Sequence, residues 1–188
     1  VVAIDDGSSD GSDTVLSALQ RKYRMNVITH ARNRGLGETT RDGFELAADL
    51  ANPGDILLRM DADRTHDPKY IPDLIAAINQ GADIAIASRF SKGGGQVGIP
   101  NNRKLMSWLA NFAFRIFFPL GGIREYTCGY RAYKAAIVQA AIKNYGNDFI
   151  QLRGLGFSCT VEKLLKLKLI GAKLIEVPFV LRYDLKNS

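Results

Sequence analysis

Several features are scarce or missing in this sequence, and each shortage excludes something. Only two cysteines, Cys128 and Cys159, occur in 188 residues. That is too few for a disulfide framework, and their separation matches no metal-ligand spacing. They read as reduced thiols of a cytoplasm-like compartment. No apolar run approaches the roughly 18 residues that a membrane-crossing helix needs. Neither a charged leader nor a signal-peptide profile is present at Val1-Val2-Ala3-Ile4. The phosphate loop G-x-x-x-x-G-K-[ST] is absent, and no G-x-G-x-x-G follows a strand. Internal repeats and linker-like tracts are also lacking, so the chain reads as one domain.

What is present is ordinary globular composition, with 46% apolar and 23% charged residues. Lys plus Arg total 25 and Asp plus Glu 19, giving 25 − 19 = +6 with His neutral. A basic surplus suits an anionic partner, whether a membrane surface or a phosphorylated small molecule.

Apolar periodicity predicts strands at 1–4, 25–29, 56–60 and 83–88, with helices over 13–23, 38–51 and a third that starts at Asp67-Pro68. Alternation at this pitch means crossover units, hence a mostly parallel α/β sheet with helices on both faces. The second half reads as a Gly-rich loop over 91–102, an apolar helix over 103–118, a strand within 127–133, and helices over 134–143 and 159–170. An extended segment over 174–182, broken by Pro178, is expected at a sheet edge.

Ligands of open α/β sheets sit beyond the carboxyl ends of the strands. Three loops qualify: Asp5-Asp6-Gly7-Ser8, Asp61-Ala62-Asp63 and Ser88-Arg89-Phe90. Clustered carboxylates need a cation or a donor to offset their repulsion. Asp61 and Asp63, one residue apart just past a buried strand, reach toward one point, and oxygen-only ligation favours Mg²⁺ or Mn²⁺. An isolated D-x-D is also an ordinary turn, and Asp67 needs no role beyond capping. His66 reads as a loop hydrogen-bonder more readily than as a metal ligand. Arg32-Asn33-Arg34-Gly35-Leu36-Gly37 is either a solvated basic loop or an anion-facing helix entry.

The ordered set IDDGSSDGS, ARNRGLGETTRDGF, MDADRTHDP, ASRFSKGGG, YTCGYRAYKA and VPFVLRY resembles the family-2 glycosyltransferases of GT-A fold. Within them it is most similar to the dolichol-phosphate mannose synthase-like, polyprenyl-phosphate branch. The resemblance covers nearly the whole chain and implies a nucleotide-sugar site at Ile4, Asp6, Asp61, Ala62, Asp63, Arg89 and Arg182. It implies a Mg or Mn ion held by Asp61, Asp63 and Thr65, with Asp63, Arg89 and Arg182 as the catalytic set. A hydroxyl at Thr65 is a weaker ligand than the amide that often stands there.

Two departures from the family lie at the ends: a preceding P-x-Y-N-E strand and a late S-K pair are not found. The chain is therefore expected to be a catalytic domain, 1–188, truncated at both ends. The missing first strand is expected between the strands at 1–4 and 56–60, and direct pairing of those two would oppose this placement.

The activity implied is inverting transfer of a hexose from GDP-mannose or a UDP-sugar to a polyprenyl or dolichyl phosphate. The partners implied are the donor, the lipid phosphate and a membrane surface, with no nucleic acid. The location implied is cytoplasmic, peripheral at the cytoplasmic membrane face. A phosphate acceptor is already anionic and needs alignment more than a base. A hydroxyl acceptor, as in polysaccharide synthesis, needs a carboxylate base, and Glu125 and Glu162 are the candidates unless both are structural. A nucleotidyltransferase and a nucleotide-sugar binder without turnover are the alternatives from other classes. The helix over 103–118, with Trp108 and basic residues at its start, is either a core helix or an interfacial one.

Overall fold

The computed structural model describes residues 1–152 and 157–185. Strand β1 (Val2–Asp5) leads through helix α1 (Ser12–Lys22) to β2 (Asn26–Thr29), which pairs with it in parallel. Helix α2 (Leu36–Leu50) precedes β3 (Ile56–Arg59). Asp67 caps a 3-10 turn at Pro68–Tyr70 by accepting from Lys69 N–H, and that turn runs into α3 (Ile71–Asn79). Then come β4 (Ile84–Ser88), a short β5 (Gly95–Val97) and the long α4 (Asn101–Phe117). The chain continues through β6 (Arg131–Lys134), α5 (Ala135–Tyr145), α6 (Ser158–Leu169), β7 (Leu174–Pro178) and β8 (Val180–Arg182).

The main sheet has the order β3-β6-β4-β7, with β7 at the edge where Pro178 predicts it. It is mixed. β4 and β7 run parallel, while β6 lies antiparallel between β3 and β4. Periodicity marks β6 as extended but carries nothing about its direction. β5, inside the Gly-rich loop, pairs in parallel with β8 and has no periodic signal of its own.

Strand β4 shows why both faces are covered. All five of its residues are buried, and their side chains alternate between two cores. Ile84 and Ile86 join Phe44, Tyr133, Val138, Leu164 and Leu167 on the side of α2, α5 and α6. Ala85 and Ala87 join Leu74, Ile78, Tyr130 and Phe179 on the side of α3.

β1 and β3 are not paired with each other, so each keeps one edge without a ladder among the described residues. Helix α2 spans the gap. Phe44 meets Tyr133 edge to face at 5.1 Å, and Gly43 passes so close to β1 that a Cβ there would sit 3.4 Å from Ile4 Cγ1.

Candidate functional site

The carboxyl ends of β1, β3 and β4 carry the three loops singled out by the sequence. At the β1 tip, Asp6 is heavily engaged. Its Oδ1 meets His30 Nδ1 at 2.6 Å and accepts from Arg34 N–H at 2.9 Å, and its Oδ2 accepts from Gly35 N–H at 2.8 Å. Burial alone would raise this carboxyl, but the bonds from His30, Arg34 and Gly35 outweigh it and hold Asp6 below its ordinary value. His30 is 7% exposed and its other nitrogen meets Asp42 Oδ2 at 3.0 Å. Asp6 thus ties the first loop to the start of α2. Its neighbour Asp5 is buried, accepts from Ser8 N–H, and has its second oxygen buried without a partner. Gly7 has φ +70, and a Cβ there would fall 2.5 Å from the Arg32 carbonyl carbon, so only glycine lets these loops touch. Ile4 packs toward α2.

The turn after β3 is folded back on itself. His66 Nδ1 accepts from Asp61 N–H at 2.9 Å. Arg64, at φ 65, is the one non-glycine residue with positive φ among those described, and it lies inside this turn. Thr65, buried, donates its hydroxyl to Asp63 Oδ1 at 2.5 Å and its N–H at 3.2 Å. Its hydroxyl therefore orients the Asp63 carboxylate. Arg59 Nη2 meets Asp61 Oδ1 at 2.9 Å. The same guanidinium lies over Gly129, where any Cβ would collide with it. Ala62 is exposed at the turn.

At the β4 tip, Arg89 is clamped rather than extended. Nε and Nη2 donate to Glu125 Oε2 and Oε1 at 2.7 and 2.8 Å, and Nη2 also reaches Thr127 Oγ1 at 2.9 Å. Glu125 is fully buried and accepts in addition from the N–H groups of Thr127 and Cys128. Glu162 accepts from Gln151 and Leu152 N–H and from Lys166. Arg182, at the end of β8, pairs with Asp184 through Nε–Oδ1 at 2.9 Å and Nη2–Oδ2 at 2.7 Å. It is close enough to Asp67 for their charges to act on each other. The Arg182 strand and the Asp61 turn thus share one end of the sheet.

The donor set of that turn fits a hard divalent cation. Asp61 and Asp63 supply carboxylate oxygens from one turn, and Mg²⁺-type ions take one or two carboxylates and fill the rest of the shell with water and substrate phosphate. Among the described residues no group of three or more His, Cys, Asp or Glu side chains is arranged to hold a metal ion by itself, so a protein-only cage of the zinc type does not fit.

On α4 the only buried residue is Asn111, whose amide links Ser107 O, Thr127 Oγ1 and Tyr126 N–H. Trp108 is 50% exposed and stacks on Phe112 at 5.3 Å, while Phe117 is 74% exposed. Leu105, Met106, Leu109 and Ile116 are exposed as well. The core-helix alternative therefore does not describe this face. Among the described residues no helix is long and apolar enough to cross a membrane.

Three contributors escaped sequence reasoning. His30 reaches Asp6 and Asp42 across distances in sequence that only the topology closes, and Arg59 meets Asp61 two residues on while its guanidinium lies over distant Gly129. Lys163 is buried on α6, with Nζ 3.7 Å from the Phe44 ring centre and no motif to announce it.

Comparisons with known proteins give the chain its relatives and its fold. Curated relatives include a dolichol-phosphate mannosyltransferase of Pyrococcus furiosus, 36% identical over 95% of this chain and 47% of the relative. An undecaprenyl-phosphate mannosyltransferase of Micrococcus luteus is 33% identical over 95% of this chain and 70% of its own length. A polyprenol monophosphomannose synthase of Mycolicibacterium smegmatis is 32% identical, over 95% and 64%. The chain thus spans about half the length of the first of these. Among solved structures, glucosyl-3-phosphoglycerate synthase from Mycobacterium tuberculosis, with Mn²⁺, UDP and glucosyl-3-phosphoglycerate, matches at TM-score 0.61 and 16% identity, covering 96% of this chain and 58% of that one. S. aureus TarS 1-349 matches at TM-score 0.58 and 18% identity, covering 96% and 50%. These two likenesses establish the shared GT-A-like fold. The model of glycosyl transferase family 2 matches residues 1–141, and with the acidic turn at the sheet's carboxyl end this places the chain in that family.

Proposed function

We propose that this chain is the catalytic domain of an inverting, metal-dependent transferase. It moves a hexose from a nucleotide-sugar to a polyprenyl-type phosphate at a membrane surface. The names of the curated relatives support the substrate classes. One structural observation favours a phosphate over a hydroxyl acceptor: both carboxylates named as candidate bases are occupied. Glu125 holds Arg89 and three backbone or hydroxyl donors, and Glu162 holds two backbone N–H groups and Lys166. A phosphate oxygen attacks the anomeric carbon without giving up a proton, so a site without a base suffices.

The roles of the residues follow. Asp61 and Asp63 would hold a Mg or Mn ion, which when bound neutralises charge on the leaving diphosphate. Thr65 orients Asp63. Arg182 exchanges Asp184 for donor phosphate oxygens, a like-for-like swap of one bidentate acceptor for another. Arg89, held by Glu125, shapes the floor of the site. Ile4, Asp6 and Ala62 line the nucleotide side, with Asp6 setting the loop. The exposed aromatic face of α4, flanked by Arg103, Lys104 and Arg115, rests on anionic lipid and brings the acceptor to the site.

The test is transfer of labelled sugar from GDP-mannose and from UDP-glucose, with and without Mn²⁺, to a polyprenyl phosphate or to a free oligosaccharide. Label in the lipid fraction that requires Mn²⁺ and disappears with Asp63→Ala supports the proposal. Label that appears only in the oligosaccharide overturns it.

A further inference from the structure

The sequence reads His66 as a loop hydrogen-bonder beside the acidic turn, and the structure makes it the turn's support. Its ring is 5% exposed and is held on two sides. It stacks on Tyr130 at 4.9 Å with a 17° tilt and meets Phe179 edge-on at 5.8 Å. Neither contact depends on the turn itself. Tyr130 is anchored by its carbonyl, which accepts from Ala87 N–H of β4 at 3.0 Å, and by an edge-on contact with Phe179 at 5.5 Å, while its hydroxyl donates back to Asp67 O at 3.1 Å. Phe179 in turn belongs to the extended segment that leads into β8 and Arg182. There Tyr70 OH accepts from Val180 N–H at 3.2 Å. The imidazole is therefore placed by the sheet and by the Arg182 strand, and the turn is placed by the imidazole.

The ring's polar atoms both face Asp61. Nδ1 accepts from the Asp61 backbone N–H, so Nδ1 is unprotonated and Nε2 carries the hydrogen. Nε2 lies 3.8 Å from Asp61 Oδ2. One side chain thus fixes the backbone of Asp61 and stands over its carboxylate. The left-handed conformation of Arg64 is what brings residue 66 back to residue 61.

We propose that His66 is a positioning residue that sets the Asp61 carboxylate in register with Arg182, using a ring seated on Tyr130 and Phe179. The proposal rests on the transferase reading above, since it names what His66 prepares the turn to hold. A ring that served only as packing would be replaceable by any aromatic side chain. A positioning ring is replaceable only by a group with an acceptor where Nδ1 stands.

The experiment compares His66→Asn, which can put an amide oxygen near the Nδ1 position, with His66→Phe, which keeps the ring and loses the acceptor, and with His66→Gln, whose acceptor reaches too far. Binding of Mn²⁺ in the presence of GDP or UDP is measured by water proton relaxation, and folding by thermal melting. Imidazole ¹⁵N spectra of the wild type report which nitrogen bears the hydrogen. Loss of an order of magnitude or more in Mn²⁺ affinity is expected for His66→Phe and His66→Gln, roughly the effect of losing a partner that orients a metal ligand. His66→Asn is expected to stay within about threefold of wild type, an allowance for imperfect amide placement. A folded His66→Phe with wild-type affinity overturns the proposal. So does a folded His66→Asn that falls as far as His66→Phe, or a hydrogen on Nδ1 in the wild type. A wild type that binds no Mn²⁺ with either nucleotide removes the transferase reading itself, and the role of His66 with it.

Discussion

The guanidinium of Arg89 lies flat against the carboxylate of Glu125, two nearly parallel bonds of 2.7 and 2.8 Å joining the tip of β4 to the segment before β6. Arg89 has 10% of its side chain exposed and Glu125 none, so neither charge is solvated without the other. Removing one partner of such a pair leaves a buried charge uncompensated.

Glu125→Gln is therefore expected to cost about 3 kcal/mol of folding stability, the low end for breaking a buried pair. Denaturant unfolding measures it. Arg89→Lys is expected to lose a similar share, because an ammonium cannot span both oxygens. A Glu125→Gln protein of wild-type stability would show that the pair holds nothing together.

His30 sits between Asp6 and Asp42, and Arg34 also reaches Asp42. The bond to Asp6 is the largest influence and raises the imidazole above its ordinary 6.5, with burial and Arg34 opposing and Asp42 assisting. The sign follows from linkage. A base whose folded value is raised contributes stability that is fully present below its unfolded value and is lost as pH rises through the folded one. The thermal midpoint is expected to decline from about pH 6 to about pH 8, where histidine titrates. His30→Gln is expected to flatten that step, and an unchanged step would assign it to another group.

Lys163 presents the opposite case. It is buried over Phe44, and burial, then Arg59 and Arg131, hold its ammonium far below the usual lysine range. The unfolded chain therefore binds a proton that the folded one lacks, and stability rises with pH toward the ordinary lysine value of 10.5. Lys163→Met replaces the amine with a side chain of similar length that suits two aromatic neighbours. It is expected to stabilise the fold by about 1–3 kcal/mol and to remove the alkaline rise. Destabilisation instead would mean that the amine has a partner worth keeping.

Trp108 is the sole tryptophan, so its fluorescence reports on α4 alone. Vesicles rich in phosphatidylglycerol are expected to shift its emission to the blue and to allow quenching by brominated acyl chains. Phosphatidylcholine vesicles should do so weakly, because Arg103, Lys104 and Arg115 then lack anionic headgroups. An emission spectrum indifferent to both would take the membrane out of the proposed function.

The site was legible in outline because its parts are local. An apolar run followed at once by Asp61-Ala62-Asp63 marks a strand tip with two carboxylates, whatever the rest of the chain does. Element boundaries came close for the same reason, since helix and strand periods are local signals. The partners were not legible. Arg59 lying over Gly129, Glu125 receiving Arg89 and His30 meeting Asp6 depend on which strands lie side by side. The antiparallel insertion of β6, which brings Glu125 and Tyr130 under the site, leaves no mark on periodicity. The role of Thr65 was only half visible, because its hydroxyl turns to Asp63 in a contact that a motif position does not specify.

The separation of β1 from β3 has a consequence for handling the protein. Both strands carry a row of amide and carbonyl groups on the side where no ladder forms among the described residues. Such rows are templates for any extended backbone that reaches them, including that of a neighbouring molecule. Prepared as residues 1–188 alone, the chain is therefore expected to self-associate through these edges, and a short β-forming peptide added in trans should compete with that assembly.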